Sequence, residues 1–217
     1  MDTITSRRAV LRGALTGGAV VTIGTAVVPV AGLLRPAAAQ EAEKPLTEPE
    51  LAAFAEAVEL AAVAAYAQAA PKLTDPALQR ATAGFGEHHR EHAARFAAAS
   101  EGKATGQPNP MLLQVVTDQL RDAADAKGTA KVLYDLESGL AGTHLYALGV
   151  SKSAPALQLT ASVLPVESAH AAQIGLAVGL PLAPPSTAEA APAVAPPFET
   201  EEKRLDPTVY APAEEAK

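Results

Sequence analysis

Phe85-Gly86-Glu87-His88-His89-Arg90-Glu91-His92-Ala93-Ala94-Arg95-Phe96 and, 78 residues later, Val163-Leu164-Pro165-Val166-Glu167-Ser168-Ala169-His170-Ala171-Ala172-Gln173-Ile174 are the stretches whose reading decides the fold. An α-helix turns about 100° per residue, so positions three and four apart share one face. In the first stretch that face reads Phe85, His89, His92, Phe96, and the opposite face reads Glu87, Arg90, Glu91. In the second it reads Val163, Glu167, His170, Ile174. The imidazoles and the carboxylate therefore lie in line with the apolar residues, on the side that a helix turns to a core. A core holds such groups only when something compensates their lost hydration, either a partner or a metal ion.

Working outward, each of these histidines has a glutamate 33 residues before it, Glu59 ahead of His92 and Glu137 ahead of His170. The offset of 78 also carries Thr82-Ala83 onto Thr160-Ala161 and His92-Ala93-Ala94 onto His170-Ala171-Ala172, and it sets Tyr66 opposite His144. The likeness is weak as sequence but is concentrated at polar core positions, where a duplication would leave its trace. Six candidate ligands follow: Glu59, His89, His92, Glu137, Glu167 and His170. Glu137 is flanked by Leu133 and Leu140 on its own face. Glu56 competes with Glu59 for the inward position, and the repeat offset favours Glu59. Tyr66 and His144 lie two turns beyond their glutamates, about 10 Å along each helix. Tyr66 reads as a packing residue, and His144 is open between packing and a hydrogen bond to the centre. His88 falls to the side of the stripe and reads as a surface residue beside Glu91 or Glu87.

Helix signals run through the middle of the chain and strand signals are nearly absent. Thr47-Glu48-Pro49-Glu50 forms a capping box with a proline in the first turn, opening a helix to about Ala70, ahead of Pro71. Asp75-Pro76 opens a second, ending near Glu101-Gly102. Lys103 to Pro110, with Gly106, Pro108 and Pro110, reads as a long connection. A shorter helix over Met111 to Lys127 would be closed by Gly128, and Thr129 would cap a further helix to about Gly149. Ser153 and Pro155 open the last one, which ends near Gly179-Leu180-Pro181 and carries Pro165 inside it. The large core residues are Phe54, Val63, Leu78, Phe85, Phe96, Leu133, Leu140, Val163 and Ile174, among abundant alanine.

A lone glutamate on the first and third main helices, with Glu167-x-x-His170 on the fourth, resembles the ferritin-like di-metal carboxylate superfamily. The exported bacterial ferritin-like domain proteins, whose second helix often reads much like His88-His89-Arg90-Glu91-His92-Ala93, are the nearest in pattern. The resemblance covers roughly Glu48 to Leu180. It implies an all-α fold, a four-helix bundle with one long crossover connection. It implies Glu59 and Glu137 as single-helix carboxylates, Glu167 and His170 as the second-half pair, and His92 as the first-half imidazole. Position 89 departs from the pattern: histidine stands where the superfamily has glutamate. Three carboxylates leave two divalent ions one negative charge short. The departure bears on dioxygen activation more than on metal binding, and it admits a hydroxide or external anion, a single ion, or a preference for zinc or manganese.

The ends of the chain read differently. Ser6-Arg7-Arg8-Ala9-Val10-Leu11-Arg12, an apolar run from Gly13 to Leu34 and Ala37-Ala38-Ala39 read as a twin-arginine signal peptide over 1–39. The alternative is an uncleaved anchor, since the run is long enough to span a bilayer. Residues 40–46 form a short segment, 47–182 the helical domain, and 183–217 a Pro/Ala/Glu-rich tail that reads as disordered, with a local contact at Phe198 or Tyr210. There is no cysteine, so disulfides, thiolate ligands and a lipid-modified cysteine are excluded. The leader's four arginines against one aspartate would leave with cleavage, taking the formal charge from −7 to −10. Such a surface disfavours nucleic acid and anionic lipid. No phosphate-binding glycine loop, serine nucleophile elbow or paired-aspartate signature is present.

These features lead to an expectation of an exported protein of the periplasm, cell envelope or secreted fraction, with two iron ions, or manganese or zinc in their place. Its partners would be metal ions and dioxygen or peroxide, with no nucleic acid, no membrane after leader cleavage, and a homo-dimer as an admissible assembly. Its work would be iron oxidation or peroxide detoxification. The alternative is a metal-free or zinc-bound bundle with a structural or stress-protection role in the cell envelope.

Overall fold

Every helix in the domain starts where a short polar side chain can take up free backbone N–H groups. The computed structural model describes residues 46–180 and Leu205. Glu50 accepts from the Thr47 N–H at 2.8 Å, opening α1 (Glu48–Ala69). Asp75 accepts from Ala77 and Leu78 at the start of α2 (Pro76–Ala99), and Asn109 from Leu112 at the start of α3 (Pro110–Asp122). Ser153 accepts from Ala156 at the start of α5 (Ala154–Ala177). Each such cap contributes about 1 kcal/mol. A single 3-10 turn, Ala70–Lys72, carries the chain past Pro71. Gly179 adopts φ 71° just beyond α5, where the Leu180 N–H returns to the Gly175 carbonyl, the left-handed close that glycine tolerates best.

One boundary differs from the sequence reading. Gly128 closes no helix and Thr129 caps none. α4 runs Ala126–Val150 and is capped by Asp125, whose carboxylate accepts from the Gly128 N–H at 2.7 Å. Asp125 is the stronger cap, because its charge also meets the positive end of the helix dipole. The helix α3 accordingly ends earlier, at Asp122.

All five helices are α-helices, and no strand occurs among the described residues. α1 packs along α2 and α4 along α5, giving two hairpins; α1 meets α4 and α2 meets α5 across them. α3 sits in the long connection and packs on α1 and α4. The connection is fastened to α1 at two points: the Asn109 N–H donates to the Ala57 carbonyl at 2.8 Å, and the Gly106 N–H donates to Glu56 at 3.0 Å. Glu48 ties α1 to the α4–α5 turn by accepting from the Lys152 and Ser153 N–H groups.

Small residues let the helices approach: Ala61, Ala62, Ala65, Ala69, Ala130, Ala141 and Ala171 are all buried. Of the expected large core residues all are buried except Val63, which is half-buried; Tyr66 and Val58 on the adjoining face take the interior instead. The apolar core falls into two parts. A large cluster includes Phe85, Leu133, Leu140 and Ile174, and a small one holds Ala52, Ala55, Phe96 and Val163. On α2 the boundary between them lies between Phe85 and Phe96, where His89 and His92 stand.

Pro165 does not break α5. It and Ala161, whose carbonyl it deprives of a helical bond, are both exposed, where water can replace the missing donor. Leu205, in the stretch expected to be a tail, is buried, packs in the larger cluster and donates its N–H to the Thr143 hydroxyl at 2.8 Å. The leader over 1–39 and the Phe198 and Tyr210 contacts lie outside the described residues. Among the described residues no helix is long and apolar enough to cross a membrane.

Candidate metal centre

Between the two apolar clusters the four long helices each turn polar side chains inward. α1 supplies Glu59, α2 His89 and His92, α4 Glu137, and α5 Glu167 and His170; all six are buried. Two overlapping groups form, Glu59–His89–His92–Glu167 and His89–Glu137–Glu167–His170, in each of which one ligand atom per residue lies within 4.8 Å of the others. His89 and Glu167 belong to both. The helical spacing on α2 and α5 therefore does what the stripe predicts, and the two single glutamates reach the same place from the other helix of each hairpin.

The contacts are short and mutually consistent. His89 Nδ1 stands 2.7 Å from Glu59 Oε2, and its Nε2 stands 2.9 Å from Glu137 Oε1. His92 Nδ1 lies 2.7 Å from Glu167 Oε1, and His170 Nδ1 lies 3.4 Å from Glu137 Oε2 and 3.6 Å from Glu167 Oε2. Glu59, not Glu56, is the inward carboxylate of the centre. Glu56 is buried too, but it serves the connection through Gly106, and burial pushes its carboxyl upward.

Two residues outside the six hold the carboxylates. The Tyr66 hydroxyl donates to Glu137 Oε1, and His144 Nε2 donates to Glu59 Oε1 at 3.0 Å. Tyr66 is thus more than the packing residue that its sequence suggests. Its ring also lies 5.2 Å from His89 at 31°, while His144 stacks on Phe96 at 5.3 Å. The offset of 78 between Tyr66 and His144 is the signal that would have marked both. His88 is exposed, as the sequence reading has it. Its hydrogen-bond partner, however, is His170, Nδ1 to Nε2 at 3.0 Å, rather than Glu91 or Glu87. Glu87 pairs with Arg90 instead.

The electrostatics follow from this crowding. Burial alone would drive each carboxylate up, but hydrogen bonds from His144 and His89 hold Glu59 well below the usual range. The charge of His89 and contacts from His170 and His89 likewise depress Glu137 against its burial. Glu167 goes the other way: burial, then the charge of Glu59, raise it. Burial opposes a charge on His89, yet Glu137 and Glu167 raise it well above its ordinary value. His92 is pushed up to about 9 because its contacts with Glu167 and Glu59 outweigh burial, and His170 rises through Glu137 and Glu167 against the same opposition. With Glu59 and Glu137 facing its two nitrogens, His89 is held toward the imidazolium, a donor to both carboxylates.

That ion does not satisfy the centre. Six buried side-chain atoms of the described residues make no well-aligned hydrogen bond, and five belong here, where they face one another only as ion pairs: His92 Nδ1, Glu137 Oε2, both oxygens of Glu167 and His170 Nδ1. Buried polar atoms are nearly always well hydrogen-bonded in native proteins, and five lone-pair donors crowded together in this way suit a bound cation. The spacings fit a cation: two donor atoms each about 2.1 Å from one ion stand about 3 Å apart. The contacts here, 2.7 to 3.7 Å, bracket that value. No family model, curated protein or solved structure matches this chain.

Proposed function

We propose that the chain is a ferritin-like four-helix bundle with one long crossover, exported by the twin-arginine route, whose buried centre holds two metal ions, iron first among them. The observation that carries this reading is the cluster of five donor atoms without a well-aligned hydrogen bond, three carboxylate oxygens and two imidazole nitrogens, converging from three helices in the core. Mixed oxygen and imidazole donors suit first-row ions, with manganese and zinc as the competitors of iron. Two bound iron ions would supply the redox capacity to oxidise Fe(II) or reduce peroxide, so the protein would act against oxidative damage in the cell envelope or periplasm.

The chain's own residues have defined parts in this. Glu167 presents an oxygen toward His92 and another toward His170, so it joins the two groups. Tyr66 and His144 orient Glu137 and Glu59, and His88 holds His170 so that its Nδ1 faces inward. Burial in both apolar clusters excludes bulk water, which strengthens each of these interactions.

Reconstitution of the metal-free protein with Fe(II) under air tests the proposal. Saturation near two ions, with an oxo-bridged absorption band, is the expected result, and Glu137→Ala or His170→Ala should abolish stoichiometric metal. Retained metal in both variants would refute the site. One observation favours a second reading: His89, bonded to Glu59 and Glu137, already fastens three helices without metal. A metal-free or zinc-bound structural protein of the envelope would use it so, and tight zinc binding without Fe(II) oxidation would identify that case.

A further inference from the structure

His89 is fully buried, and its ring stands between the two candidate groups with one nitrogen turned to each. Nδ1 faces Glu59 Oε2 at 2.7 Å and Glu167 Oε2 at 3.7 Å; Nε2 faces Glu137 Oε1 at 2.9 Å. On that side His92 Nδ1 lies 3.7 Å from the same Glu59 oxygen and 2.7 Å from Glu167 Oε1. On the other side His170 Nδ1 and Glu137 Oε2 stand 3.4 Å apart without a well-aligned hydrogen bond. We propose that His89 is a bridging ligand that binds one divalent ion through Nδ1 and a second through Nε2. The inference rests on the metal reading above and specifies how the two ions are joined.

Charge supports it. Glu59, Glu137 and Glu167 supply three negative charges against the four positive charges of two divalent ions. A histidine that binds on both nitrogens does so as imidazolate and supplies the fourth. Its two ring protons leave to solvent as the two metal–nitrogen bonds form, and nothing is oxidised or reduced. With a neutral imidazole the fourth negative charge would have to come from a hydroxide or external anion carried into a buried site, which is costly. A doubly protonated ring would donate to Glu59 and Glu137 but would leave the five other atoms without a well-aligned hydrogen bond. Cations on both sides of the ring would satisfy the whole set.

The ring sets the scale of the result. Its nitrogens lie about 2.2 Å apart and each metal–nitrogen bond adds about 2.0–2.1 Å, so the ions should stand about 6 Å apart. Carboxylate-bridged pairs stand about 3.5–4 Å apart. The test is an anomalous-difference map from crystals of the full chain loaded with zinc(II), with electron paramagnetic resonance of the copper(II)-loaded protein in solution. Two peaks about 6 Å apart with the His89 ring between them, and a copper signal diminished by exchange coupling at two equivalents, are expected. His89→Glu should keep two ions and draw them to about 3.5–4 Å. If that variant does not fold, the wild-type map decides alone. Two wild-type ions about 4 Å apart or less, or a single ion, would overturn the bridge and leave the metal centre standing. No bound zinc or copper would overturn both.

Discussion

Tyr66 and His144 make the same reach in opposite directions: Tyr66 on α1 donates to Glu137 on α4, and His144 on α4 donates to Glu59 on α1. Each lies seven residues beyond the glutamate of its own helix and serves the glutamate of the other. The two hairpins are thereby cross-linked through the carboxylates that the centre uses. Burial and the charge of Glu137 keep the Tyr66 hydroxyl protonated, and so a donor, across the ordinary pH range.

Tyr66→Phe and His144→Phe each remove one donor while keeping an aromatic ring in the core. Partners of this kind typically contribute 10–100-fold in metal affinity, and losses of about that size are expected from each variant. Competition titration against a chelator of known affinity, with circular dichroism to verify the helices, measures the effect.

His88→Ala should weaken metal binding by a comparable factor, about tenfold or more, although His88 is itself exposed. Its Nδ1 is the partner of His170 Nε2, and without it the inward nitrogen of His170 is less firmly directed. Unchanged affinity in that variant would show that the stacking of His170 on Phe85, at 4.0 Å, holds the ring alone.

Glu167→Leu separates stability from function. Glu167 is buried, its oxygens make no well-aligned hydrogen bond, and burial raises its carboxyl, so its ion pairs with His92 and His170 only partly offset its lost hydration. An apolar side chain of similar volume should leave the metal-free protein as stable or more so, while stoichiometric metal is lost. Thermal unfolding of the stripped protein and metal analysis of the loaded one read the two effects.

The pH dependence has a definite sign. His92 titrates at about 9 in the folded chain against an ordinary value of 6.5. Its contribution is therefore fully present below about pH 6.5 and is lost as pH rises through about 9. The metal-free protein should lose thermal stability across that window. Metal uptake should strengthen over the same range, because bound ligands must give up their protons. Melting curves at several pH values, with and without zinc(II), test both limbs.

Leu133→Ala probes the apolar frame around the centre. Leu133 is fully buried in the larger cluster, one turn before Glu137, and the truncation should cost about 2–5 kcal/mol. Denaturant unfolding of the metal-free protein measures it.

Much of this centre was legible in the chain. His89, His92, Glu167 and His170 declare themselves by helical spacing among apolar neighbours, because one helix face is a local property. Glu59 and Glu137 follow from the repeat. What escaped has a common cause. His88 looks like a surface residue on its own helix, and only the approach of α5 gives it His170. Glu56 looks like a rival of Glu59, and only the path of the connection past Gly106 gives it a separate task. Thr129 looks like a cap until Asp125, four residues earlier, takes the position.

The amino-acid order by itself determines that the domain is helical, where most of its helices begin, and which residue types must share an interior, since capping and periodicity act over a few residues. The tertiary structure alone decides which carboxylate each donor meets and that His89 stands between Glu59 and Glu137. Those contacts join residues 30 to 85 positions apart, and their geometry is set by how closely the alanine faces let the helices approach.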